Sequence, residues 1–141
     1  MIFNFILPKS IEELRLEIRQ KFLNYANIHK TLIRPLIATC KVYHLAPVNA
    51  TGGVESSDWF AMEFTSPDQQ KGWATIIRLS KSASENYLFK PKGLDGRRKY
   101  SVTFDNTGKA VAFEGSQLMR EGITIQLGPG HASELLLWEA D

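Results

Sequence analysis

Fifteen acidic side chains are the groups with the most chemical potential in this chain of 141 residues. Two carboxyls facing each other across a glycosidic bond can hydrolyse it, at about 5–5.5 Å apart with retention or about 6.5–9.5 Å with inversion. Asp58, Asp68, Asp95 and Asp105 each fall at a strand end or in a turn. Aspartate is favoured there for a structural reason, since its carboxylate bonds the backbone two residues on. Glu63 differs. It lies inside an alternating apolar segment, a position that turn formation does not explain, so it is the acid to inspect for function. His29, His44 and His131 are far apart and show no ligand spacing. Gly115-Ser116-Gln117 lacks the second glycine of a strained nucleophile elbow, and Gly128-Pro129-Gly130 opens no helix and so forms no phosphate loop. No self-contained catalytic, metal or cofactor site emerges.

Aromatic residues are the other candidates. Trp59, Trp73 and Trp138 have flat faces suited to stacking on sugar rings. Trp73 shares its strand face with Thr75, Ile77 and Leu79 and is expected in the core. Trp138 lies in Leu135-Leu136-Leu137-Trp138, apolar on both faces, and is expected to be packed. Trp59 points opposite to Phe60, Met62 and Phe64, with Ala61 and Glu63 on its own, more polar face. That orientation makes Trp59 and Glu63 the expected contacts for a sugar or for another domain.

These residues need elements to position them. Ser10 followed by Glu13 forms a capping box. From there Ile11, Leu14, Ile18, Phe22, Tyr25, His29 and Leu32 mark one stripe of a long amphipathic helix. Pro35 ends or kinks it, having no N–H to donate. From Lys41 onward the period becomes two. Strands are predicted at 41–45, 58–65, 72–79, 86–92, 99–104, 110–113, 123–127 and 134–139, separated by Gly-, Pro- and Asp-bearing turns. The predicted fold is mainly β: an antiparallel β-sandwich of about eight strands preceded by one long amphipathic N-terminal helix. Residues 1–40 form the helical segment and 41–141 the sandwich. The last strand departs from the alternation of a half-solvated sheet, so something covers its second face.

The totals fit one domain with its own core. Seventeen basic against fifteen acidic residues give a net charge of +2, and the only basic run is Arg97-Arg98-Lys99, so nucleic acid is not an expected partner. The single cysteine, Cys40, allows no intrachain disulfide. MIFNFILP at the start has no basic flank, is broken by Asn4 and precedes no small-residue cleavage site, and no stretch approaches the ~20 apolar residues of a membrane span. The expectation is a cytoplasmic protein without membrane contact.

One succession of motifs carries more information than any of its parts. KGLDGRRKYSVTF, then a glycine-bearing turn, then EGSQLMREGITIQL and SELLLW resembles the C-terminal β-sandwich of α-galactosidases of glycoside hydrolase family 36. The matching residues are Gly93-Leu94-Asp95, Tyr100-Ser101-Val102, Gly115 to Met119, and Gly122. Upstream, IRPL (Ile33–Leu36), VYHL (Val42–Leu45) and DWFAMEF are similar to the last barrel helix of such enzymes running into the sandwich. The likeness covers Ile11 to Glu139.

That resemblance implies retaining enzymes whose two catalytic aspartates sit at strand ends of a (β/α)₈ barrel. Such a barrel takes about 250 residues and is not in this chain. No aspartate here lies in a matching motif, so no catalytic residue carries over. The implied role is a non-catalytic accessory domain that packs on and stabilises the barrel, with the N-terminal segment a remnant of a barrel-type helix. Leu118 and Met119 are expected between the sheets, with Lys90, Lys92, Arg97, Arg98 and Lys99 solvated. The implied partner is the catalytic barrel; homo-oligomerisation and carbohydrate are further partners it allows. The alternative reading is a stand-alone carbohydrate-binding sandwich using Trp59 and Glu63.

Overall fold

The computed structural model describes residues 16–45, 59–79, 85–128 and 132–141. The chain divides into two compact units, Met1–Ala38 and Thr39–Asp141.

In the first unit, helix α1 (Leu16–Ile28) runs into a π-helical turn, His29–Ile33, and then a last short turn, α2 (Arg34–Leu36). The helix ends at Leu36, one residue past Pro35 as expected, and changes helical register just before it. Pro35 has no N–H, and its ring crowds the carbonyl four residues back. The wider turn just upstream accommodates this, with the Arg34 N–H bonding the His29 carbonyl five residues back. Thr31 Oγ1 donates to the Asn27 carbonyl at 2.8 Å within the same stretch. Much of the apolar stripe is open to solvent, Ile18 and Tyr25 among it. The capping box at Ser10 and Glu13 lies outside the described residues.

The second unit is two-layered. Strands β1 (Lys41–His44), β2 (Trp59–Thr65), β3 (Lys71–Arg78), β5 (Lys99–Phe104), β6 (Lys109–Glu114) and β8 (Ser133–Ala140) form a six-stranded antiparallel sheet, in the order β1-β2-β3-β8-β5-β6. Strands β4 (Asn86–Phe89) and β7 (Ile123–Gln126) pair as a second, two-stranded sheet. Every expected strand is present, within a few residues of its predicted bounds. The strand pattern does not foresee α3 (Gly115–Glu121), a short helix that follows β6 directly and stops at Gly122, whose φ of +79° favours glycine.

One face of the large sheet, the inner face, carries Trp59 and Ala61 of β2, Ala74 and Ile76 of β3, Leu136 and Trp138 of β8, and Tyr100 and Val102 of β5. These pack on Phe89, Ile123, Ile125 and Leu127 from the second layer, and on Leu94 and Leu118. Small side chains on the inner face allow close approach. A Cβ at Gly72 would lie 2.6 Å from the Trp138 ring and 2.4 Å from the Phe64 carbonyl, so the indole lies directly over β3.

The outer face holds Phe60, Met62 and Phe64 of β2, Trp73 and Ile77 of β3, and Leu135 and Leu137 of β8. It is as apolar as the inner face, yet none of these residues belongs to the core cluster. This corrects the expectation for β2. Trp59, Ala61 and Glu63 face inward and are buried, whereas Phe60, Met62 and Phe64 are only half-buried. Trp73 is buried as expected, but on the outer face, stacked flat on Phe64 at 4.8 Å and 7°.

Candidate functional site

Both residues singled out from the sequence lie beneath the second layer. Trp59 is 8% exposed and stacks on Tyr87 of β4 at 5.3 Å, so one ring face is occupied by protein. Glu63 is 0% exposed. Its Oε2 accepts the Lys92 N–H at 2.8 Å; its Oε1 accepts the Gly93 N–H at 2.8 Å and the Thr65 hydroxyl at 3.1 Å. The two residues sit four apart along β2, on the same inner face.

A buried carboxylate survives when several donors reach it, because burial otherwise favours its neutral form. Burial pushes the Glu63 carboxyl above its ordinary value, against the downward pull of the two backbone N–H groups, the Thr65 hydroxyl and the Lys92 charge. Glu63 is fully buried with both carboxylate oxygens engaged by protein donors, so it presents no surface to an external substrate. Its chemistry is to hold a loop.

That loop is the KGLDG stretch between β4 and β5. It needs glycine where it crosses β2: a Cβ at Gly93 would lie 2.5 Å from Thr65 Oγ1 and 2.8 Å from Tyr43 Cε2. Its far side meets the β2–β3 turn. Gln69, at φ +59°, donates through Nε2 to the Gly93 carbonyl at 3.1 Å. The Tyr100 hydroxyl donates to the Gln69 carbonyl at 2.7 Å and accepts the Asp95 N–H at 2.9 Å. Arg98 donates to the Asp68 carbonyl at 2.9 Å. The next segment locks in the same way: the Gly115 N–H bonds the Arg98 carbonyl at 2.8 Å, and a Cβ at Gly115 would lie 2.2 Å from the Asp95 carbonyl oxygen.

Asp68 and Asp95 behave as turn residues, whereas Asp58 lies outside the described residues. Asp68 accepts from the Ser66 hydroxyl and the Gln70 N–H, and the Ser66 bond leads in holding its carboxyl below the ordinary aspartate value. Asp95 accepts from the Arg97 N–H and side chain, which hold it low in the same sense. A second buried acid was not foreseen. Glu134 is 5% exposed and accepts the N–H groups of Asn106 and Leu135 at 3.0 and 3.1 Å, fastening the β5–β6 turn to β8. Burial raises its carboxyl too, opposed chiefly by those two N–H groups.

Sequence reasoning found Glu63 by its mid-strand position but missed Thr65, Gln69, Gly93 and Tyr100 as its company. The signal was present in the two glycines of KGLDG and the tyrosine five residues beyond Asp95. Among the described residues no group of three or more His, Cys, Asp or Glu side chains is placed to hold a metal ion, and no helix is long and apolar enough to cross a membrane.

The arrangement is a clamped antiparallel sandwich, and its sequence matches the profile described as the glycosyl hydrolase family 36 C-terminal domain over residues 59–137, more than half of the chain. The chain belongs to that family. No curated protein matches it in sequence. Among solved structures, this family 36 domain is similar to part of the α-galactosidase AgaA of Geobacillus stearothermophilus, with 19% identity and a TM-score of 0.67 over 94% of this chain and 17% of that one. It is similar in the same way to the α-galactosidase of Lactobacillus brevis, with 20% identity and a TM-score of 0.68 over 94% of this chain and 18% of that one. The galactosidase domain of the α-galactosidase–sucrose kinase AgaSK gives 15% identity and a TM-score of 0.61 over 92% of this chain and 17% of that one. At such identities the likeness is one of fold. The chain spans less than a fifth of those proteins, and no (β/α)₈ barrel is present among the described elements.

Proposed function

We propose that this family 36 domain serves as a non-catalytic accessory domain of an α-galactosidase-type glycoside hydrolase, docking the outer face of its six-stranded sheet on the catalytic barrel. The domain boundary near residue 40 then separates a barrel-side helix from the sandwich. The observation that carries the reading is the split within β8. Leu136 and Trp138 are buried in the core, while their neighbours Leu135 and Leu137 are only half-buried and lie with Phe60, Met62, Phe64 and Ile77 on the opposite face. A contiguous apolar face of this kind is costly to leave in water and marks a surface made for protein contact. Full burial from water gives about 1.5–3 kcal/mol for such a side chain, so completing the burial of a half-buried one adds about 1 kcal/mol or less, and the docking gain comes from several of them together.

Within this reading Glu63 and Trp59 act from inside. Glu63 fixes the KGLDG loop, and Trp59 fixes β4 through Tyr87, so the sheet presents a rigid outer face. A sugar-binding role for either would need the β4–β7 layer to lift away. The α-galactoside specificity belongs to the solved relatives by name and extends to a parent of this domain as part of the proposal.

Sequencing the DNA immediately upstream of the Met1 codon tests the reading. An in-frame barrel with a pair of strand-end aspartates supports it. A stop codon close upstream, with no barrel encoded beside it, removes the partner and with it the accessory role.

A further inference from the structure

The two ends of the six-stranded sheet are unlike each other. At one end β1 offers only four residues, Lys41-Val42-Tyr43-His44, and a very short edge strand is itself a protection against pairing. At the other, β6 reads Lys109-Ala110-Val111-Ala112-Phe113-Glu114, with four apolar residues between two terminal charges. Every β6 residue except Phe113 is exposed. Val111 is 42% exposed although it faces the same way as its cross-strand neighbour Val102, which is 2% exposed in the core. The second layer is only two strands wide, and β6 lies at the end of the large sheet with most of its residues exposed. Among the described residues β6 pairs with β5 alone, so its other edge presents unpaired backbone N–H and C=O groups. No proline or mid-strand charge guards that edge, the devices by which sheets ordinarily avoid pairing.

We infer that β6 is the pairing edge for a second copy of this chain, which adds its own β6 antiparallel about a two-fold axis and continues the sheet across the interface. Charge selects both the occupant and the direction. In an antiparallel pair the Lys109 end of one copy meets the Glu114 end of the other, whereas a parallel pair sets like charge beside like. Glu114 already meets Lys99 across the hairpin at 3.3 Å, so a second copy's Lys109 joins an exposed network rather than a buried pair. The small side chains of Ala110 and Ala112 let two outer faces come level, and Val111 and Phe113 of both copies cluster on the inner side. A strand of this length spans about 20 Å and buries less than a standard interface, so the association is weak on its own and strengthens when other contacts join it. The inference rests on the strand edge rather than on the outer face, so it and the docking proposal fail separately.

Sedimentation equilibrium of the full chain from about 1 μM to about 1 mM reads the association. The expected result is a concentration-dependent dimer, weakened roughly tenfold or more by Ala112→Lys and left unchanged by Phe64→Lys on the outer face. Amide hydrogen exchange on the unmodified chain adds a reading that no variant can confound: alternate β6 amides slow as concentration rises. A monomer throughout the range overturns the inference. So does a dimer that ignores Ala112→Lys, one that Phe64→Lys abolishes, or one whose β6 amides exchange alike at both extremes.

Discussion

The two faces of the six-stranded sheet are nearly equal in apolar content and opposite in what covers them. The inner face is sealed by β4, β7, α3 and the KGLDG loop, and it carries the two buried glutamates, Glu63 and Glu134. The outer face is also apolar, yet apart from the buried Trp73 its apolar residues stay half-buried, and none of them joins the core cluster. A single-domain protein buries its most apolar face first. Here the more polar face of β2 is the buried one. The proposed docking accounts for that inversion: one face is covered by the chain itself, and the other is left for a partner.

The contrast can be broken most severely at Glu63. Replacing it by Ala leaves two buried backbone N–H groups without an acceptor and unfastens the β4–β5 loop, at an expected cost of roughly 2–5 kcal/mol. Urea unfolding of the purified chain measures it, and a cost below about 1 kcal/mol removes the clamp from the description. Adjacent leucines in β8 sharpen the comparison. Leu136→Ala, in the core, is expected to cost about 2–5 kcal/mol, and Leu135→Ala, on the outer face, about 1 kcal/mol or less. Equal costs would mean that both faces are covered by the same chain. Gly93→Ala is a smaller step, about 1–3 kcal/mol from the clash with Thr65 and Tyr43. Gly108→Ala, at φ +68° with nothing within 4 Å of a new Cβ, carries only backbone strain of about 1–2 kcal/mol.

The smallest effect is in pH dependence. The Glu63 and Glu134 carboxyls are raised in the folded state, so their stabilising contribution is complete below the ordinary glutamate value of 4.5 and is lost as pH rises through the elevated folded values. Asp68 and Asp95 run the other way: held low, they contribute above the ordinary aspartate value of 3.8 and lose that contribution on acidification. Glu63→Gln should therefore flatten the decline in stability on the alkaline side of pH 4.5 and leave the acid limb intact. An unchanged profile would show that Glu63 does not titrate with folding.

Strand positions were legible because turn residues and period-two patterning act locally, and all eight strands follow them. The facing of β2 was not. A polarity rule assigns Phe60, Met62 and Phe64 to the core, and nothing local reveals that Glu63 finds two amide donors 29 and 30 residues away in sequence. Helix α3 was hidden for a related reason. Gly115 and Gly122 read as turn signals, and the helix between them is set by contacts with Arg98, Gly96 and Phe89 that only the fold brings near. The Pro35 signal was read in the right place: the helical run stops at Leu36, one residue beyond it, after widening into a π-helical turn just upstream.

The most direct measurement mixes this chain with a separately produced family 36 catalytic portion, that of the parent or of a solved relative lacking its own C-terminal domain, and follows hydrogen exchange in both. The expected result is slowed exchange along β2, β3 and β8, lost in Leu137→Lys, with the inner-face elements unchanged. Association that protects β4 and β7 instead, or that Leu137→Lys leaves intact, would contradict docking through the outer face.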